Sequence, residues 1–135
     1  MRNATNVPLE EEEQRAFVAW CHLQGIYVHH SGNEIGGSIR AMKTRAIKMK
    51  QMGTSKGFPD LLVFIPIRGI DDEIDAYQML AIEMKRLKGS TATAEQKAWG
   101  DVFEKAGIPF RVCKGAEKAI EFVEEYRNEN KDVIF

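Results

Sequence analysis

The chain has 135 residues, the length of one ordinary domain, and its 44% hydrophobic and 29% charged residues exclude a disordered or fibrous protein. A formal net charge of −1 excludes a uniformly basic surface, so a polyanionic partner would have to be met by a local patch. Cys21 and Cys113, far apart and in no CxxC pattern, support neither a zinc site nor a secreted disulfide framework, and their apolar settings predict buried free thiols.

Residues 1–8 read as a loose leader ending at Pro8, and the chain as one domain closed by a tail over 128–135. No signal peptide precedes the glutamates at Glu10, Glu11, Glu12 and Glu13, and no apolar run nears the roughly 20 residues of a membrane span. A cytoplasmic location and no membrane partner are the expectation. A first helix is predicted from about Leu9 to Gln24, with Phe17, Trp20, Cys21 and Leu23 as its apolar stripe and Gly25 as its stop. Ile26–His30 reads as a strand, followed by loop residues around Ser31-Gly32-Asn33 and Gly36-Gly37-Ser38. Ser38 is placed to cap a basic helix ending near Met52-Gly53.

The run Leu61–Ile65 is apolar without alternation and predicts a strand covered on both faces, ended by Pro66 and an acidic surface turn over 71–75. Met79–Lys85 is the next strand. Thr93-Ala94-Glu95-Gln96 has capping-box form and opens a helix ending at Gly107. Ile108–Cys113 is a further strand, and Ala116 to about Arg127 a last helix with Ala119, Ile120, Val123 and Tyr126 inward. This order predicts an α/β fold built on a mixed sheet flanked by helices.

Charge is unevenly spread. Between Ile35 and Pro59, Arg40, Lys43, Arg45, Lys48, Lys50 and Lys56 stand without any acidic residue, so this segment carries +6 and the remainder −7. Such segregation makes either a solvated basic helix or one positive face for a phosphate backbone.

Glu83 and Lys85 interrupt an otherwise apolar strand. Side chains two apart on a strand share a face, so these two emerge together, while Asp60 stands at the mouth of the preceding strand. Antiparallel pairing of the two strands would bring Asp60 to Glu83. Two carboxylates at the edge of a buried sheet are costly unless a cation offsets them. Mg²⁺ or Mn²⁺ held by carboxylates and a substrate phosphate is the chemistry of phosphodiester hydrolysis. A Glu83–Lys85 surface pair on an edge strand, with Asp60 merely ending a turn, uses the same residues without any chemistry.

Pro59-Asp60 followed by Glu83-Met84-Lys85 resembles the PD-(D/E)XK signature of restriction-endonuclease-like nucleases. The flanks extend the likeness: Gly53-Thr54-Ser55-Lys56-Gly57-Phe58-Pro59-Asp60-Leu61-Leu62, then Ile82-Glu83-Met84-Lys85-Arg86, then Thr93 and Gln96, resemble the VRR-NUC family over about Glu10 to Phe122. The resemblance implies a restriction-endonuclease-like fold and a metal-dependent DNA endonuclease. Asp60, Glu83 and the carbonyl of Met84 would hold Mg²⁺ or Mn²⁺, and Lys85 would serve the attacking water. A first-helix acid would join them, matched to Glu13, with Glu10 as rival; both also complement the helix dipole. Gln96 would assist catalysis, although it is equally the capping partner of Thr93.

His30 and Asn33 are expected to line the substrate groove, with Arg40, Lys43, Lys48, Lys50 and Lys56 on phosphates. An HNH-type reading of His29, His30, Asn33 and Glu34 lacks its second helical histidine, since His22 is the only other one. Trp20 and Trp99 read as core-facing, with no case for a base-stacking platform. The family likeness favours branched or flapped DNA and a symmetric homodimer, with Val133-Ile134-Phe135 available to an interface. A nuclease acting on linear DNA and a non-catalytic nucleic-acid-binding module are the alternatives.

Overall fold

The computed structural model describes residues 9–32 and 39–131. Its elements are α1 (Glu10–Leu23), β1 (Tyr27–His30), α2 (Ile39–Gln51), β2 (Leu61–Arg68), β3 (Ile74–Lys85), α3 (Ala94–Lys105), β4 (Phe110–Lys114) and α4 (Ala116–Lys131). They form one sheet in the order β1-β2-β3-β4, antiparallel at the first two junctions and parallel between β3 and β4. The predicted α/β class and mixed sheet are both present. The proposed leader, Asn33, Glu34, Ser38 and the Val133–Phe135 tail lie outside the described residues.

Alternation along the strands decides the core. Leu61, Val63 and Ile65 of β2 and Leu80, Ile82 and Met84 of β3 are fully buried, as are Phe17 and Cys21 of α1 and Ala119 and Val123 of α4. The α1–α4 pair therefore closes one face of the sheet, each large apolar side chain contributing about 1.5–3 kcal/mol. Helix α3 covers the other face, over β3 and β4. Gly100 permits that approach: a Cβ there would stand 2.5 Å from the Phe110 ring.

Several expectations change. Coverage of β2 is unequal, because α3 lies over β3 and β4 and leaves Leu62, Phe64 and Pro66 half-buried. Pro66 does not end β2, which continues to Arg68, with β3 starting at Ile74. The pairing of β1 stops at Phe64, so beyond it β2 is an edge strand, where a missing N–H leaves no ladder bond unmade. Leu23 is 85% exposed rather than part of the α1 stripe, since the preceding turn already fills that face with Phe17 and Cys21. Helix α4 runs to Lys131, through the first residues of the expected tail. Both cysteines are free and buried, and burial pushes each thiol up to about 12.

Candidate metal centre

The loop before β2 is held tightly enough to aim one carboxylate. Gly57 has φ +84°, and a Cβ on it would stand 2.6 Å from the Glu95 backbone, so only glycine lets the loop pass the start of α3. Phe58 is gripped edge-on by Trp99 and Phe103, at centroid distances of 5.0 and 5.5 Å. The Ser31 hydroxyl donates to the Pro59 carbonyl and the Ser31 N–H to the Asp60 carbonyl, each at 2.9 Å. These bonds prolong the β1–β2 pairing past Leu61 and immobilise Asp60.

The β2–β3 register, Leu61 opposite Ile82, then carries Asp60 to Glu83. The N–H of Met84 lies beyond the last β2–β3 pair and donates to Asp60 Oδ2 at 2.9 Å. One oxygen each of Glu10, Asp60 and Glu83 lie within 4.8 Å of one another, forming the one such acidic group among the described residues. Glu83 is 1% exposed, its Oε2 stands 4.0 Å from the Lys85 ammonium, and its Oε1 is buried with no hydrogen-bond partner.

Burial pushes the Glu83 carboxyl up to about 9; the hydrogen bond and negative charge of Asp60 add to the rise, while Lys85 opposes it. Burial, then the Asp60 charge, also raise Glu10. One nearby ammonium does not balance three gathered acids. A divalent cation would satisfy the orphaned Glu83 oxygen and offset the repulsion, and hard oxygen donors suit Mg²⁺ or Mn²⁺. The donor set fits such an ion.

Glu13 stands elsewhere. Its Oε1 accepts from the Ala116 N–H at 2.9 Å, capping α4 where that helix's dipole favours negative charge. Gly115 next to it donates to the Lys85 carbonyl at 3.0 Å, so Glu13 ties α1 to the chain leaving the centre. The geometry thus puts the rival, Glu10, into the acidic group in place of Glu13. Sequence could not separate them, because Glu10, Glu13 and Phe17 share one helical stripe. The two acids predict opposite mutant behaviour. Glu13→Gln is expected to lower stability by about 1 kcal/mol with divalent-ion affinity kept, whereas Glu10→Gln should weaken that affinity roughly tenfold with little loss of stability. Thermal melts and metal titrations on both variants separate the roles.

Gln96 completes a capping box: its N–H donates to Thr93 Oγ1 at 3.2 Å and its Oε1 accepts from the Thr93 N–H at 2.8 Å. It holds the start of α3 against Gly57 and is not among the three gathered carboxylates. Arg40, Lys43, Lys48 and Lys50 are exposed on α2, a helix packed on no other described element. Lys56 is exposed in the loop, 3.7 Å from Glu95. Lys50 and Lys56 border a cavity of about 270 Å³ with Met49, Thr54 and Ser55. His30 faces a different groove, along α1 with Glu11, Arg15 and His22. Asn33 is outside the described residues. Among the described residues, no helix is long and apolar enough to cross a membrane.

Comparison with known proteins agrees with this architecture. A solved structure described as a "VRR_NUC domain protein" superposes with a TM-score of 0.64 at 29% identity, over 93% of this chain and 90% of that one. No curated protein matches the chain. Residues 5–117 match the VRR-NUC domain, and the chain belongs to that family of nuclease-type domains.

Proposed function

We propose that this protein is a divalent-metal-dependent endonuclease that hydrolyses phosphodiester bonds in DNA, with a preference for branched or flapped structures. The observation that carries the reading is the buried Glu83 carboxylate, one oxygen unpartnered, beside Asp60, Glu10 and Lys85. In this reading Asp60, Glu83 and Glu10, with the carbonyl of Met84, hold Mg²⁺ or Mn²⁺. The ion would polarise the scissile phosphoryl group and acidify the attacking water.

The protein's own groups supply the rest. The Met84 N–H holds Asp60 in one orientation. Lys85, with only 11% of its side chain exposed, offers a fixed ammonium in a dry setting, where it orients the water and offsets charge gathering on phosphorus. Gln96 acts as a positioning residue through the α3 cap that supports the Asp60 loop. Arg40, Lys43, Lys48, Lys50 and Lys56 bind phosphates without reading sequence, so affinity should fall steeply with salt. His30 would border the bound strand from the α1 side of the sheet.

One domain with one centre cuts one strand, and a two-fold homodimer would supply a second centre for both strands of a junction. Sedimentation at micromolar concentration checks that assembly, and a monomer throughout removes it. The deciding assay sets linear, flapped and four-way DNA against Mg²⁺, Mn²⁺ and EDTA, with Asp60→Ala as control. Cleavage that needs metal, vanishes in Asp60→Ala and favours branched DNA is expected. Equal cutting of linear DNA would point to a restriction-type enzyme, and DNA binding without any cleavage, unchanged in Lys85→Ala, would leave a binding module on the nuclease fold.

A further inference from the structure

Next to the acidic group, β1, the loop before β2 and α3 line a second cavity of about 360 Å³, open to solvent, with His29, Ser31, Thr54, Ser55, Phe58, Leu62 and Trp99 in its walls. That is the low end of the range for small-molecule sites, roughly 300–1,000 Å³. Its place relative to the centre follows from strand geometry. Leu62 is two residues past Asp60, so the two share one side of the sheet at a separation of about 7 Å along the strand. His29 pairs with Leu62 and lies on the same side. Ser31, on the cavity wall, is bonded to the carbonyls of Pro59 and Asp60.

Three properties of the cavity select its occupant. Trp99 is half-buried and held by Phe58 and Phe103, so it presents a rigid aromatic wall rather than a mobile one. Ser31, Thr54, Ser55 and His29 offer donors and acceptors around an otherwise apolar space, which suits a flat heterocycle with a polar edge. Thr54 and Ser55 are shared with the neighbouring cavity that carries Lys50 and Lys56, where a phosphate is favoured.

We propose that this cavity receives one unpaired base of the DNA strand adjoining the scissile phosphate, seated against Trp99. The inference rests on the nuclease reading and deepens it. A base inside a duplex must lose pairing and stacking to enter, whereas one at a flap or branch is already free, so the cavity biases the enzyme towards branched DNA. Stacking on an aromatic ring is tolerant of sequence, which fits a structure-selective enzyme. Trp99 would then be a specificity-determining residue that takes no part in the chemistry.

The test reads binding without cleavage. Trp20→Phe leaves Trp99 as the sole tryptophan of the two in the chain. Its fluorescence is followed in EDTA during titration with an eight-nucleotide thymidine strand and with an abasic strand of equal length and charge. The thymidine strand should quench Trp99 and bind roughly tenfold tighter than the abasic one. Trp99→Phe should keep that discrimination and Trp99→Leu should lose it. Equal binding of the two strands without quenching, or full discrimination in Trp99→Leu, would overturn the proposal and reduce the cavity to a packing space. If Trp99→Leu does not fold, quenching in the Trp20→Phe protein still decides. The failures are separable: a protein that cuts DNA yet treats both strands alike refutes the base site only, and one that discriminates yet cuts nothing refutes the nuclease reading only.

Discussion

Glu83→Gln is expected to abolish DNA cleavage, by on the order of a thousandfold or more, and at the same time to raise the thermal stability of the metal-free protein. The first effect follows from losing a charged donor at the centre of the acidic group. The second follows from burial: Glu83 is 1% exposed, one oxygen has no partner, and Asp60 and Glu10 press like charge on it. A neutral amide of the same shape stays uncharged there without having to hold a proton that the unfolded chain releases, and it can donate to Asp60. Single-turnover rates on branched DNA and melts in EDTA measure the two together. A Glu83→Gln protein that cuts at the parent rate would remove Glu83 from the chemistry, and one that melts earlier than the parent would show that the carboxylate is stabilised by something other than an added cation.

The second large effect is a reversal of the usual pH trend in the metal-free protein. The folded-state Glu83 carboxyl is raised from 4.5 to about 9, and Glu10 is raised as well. Between these limits the folded state retains protons that the unfolded chain has released. Stability therefore falls as pH rises above about 4.5, and the loss is complete only above the folded-state value. A divalent ion should cancel this decline, because it binds the deprotonated form and competes with protons. At a hundredfold excess over its Kd, a ligand that binds only the folded state adds about 2.7 kcal/mol. For a domain of this size that is a Tm increase of roughly 10 °C, larger at pH 8 than at pH 6. Calorimetric scans at both pH values, with EDTA and with Mn²⁺, give the comparison. A metal-free Tm that climbs from pH 6 to pH 8 would contradict the buried acidic group.

Much of the fold was legible because local rules and global packing agree in it. The capping box at Thr93 and Gln96, the glutamate-loaded start of α1 and the unbroken apolar run Leu61–Ile65 each specify an element from a few neighbouring residues. Errors arose where a residue's meaning depends on a distant neighbour. Pro66 ends a central strand but not an edge strand, and nothing near it in sequence tells that β1 stops pairing at Phe64. Trp99 fits a core residue by helical position, and only the fold of the loop before β2 leaves a space beside its ring.

By itself the sequence determined the residue types at the centre and which segments carry them: an acid at a strand mouth, and an acid and an ammonium two residues apart on the next strand. It also determined where positive charge is concentrated. Tertiary structure alone decided that Glu10 joins Asp60 and Glu83 while Glu13 caps α4, and that the Trp99 cavity opens beside them. Helical periodicity assigns a side chain to a face, so acids one turn apart look alike. Which one reaches the sheet depends on where α1 crosses the strand ends, and that is set by packing between residues about a hundred positions apart, as in the Glu13–Ala116 bond.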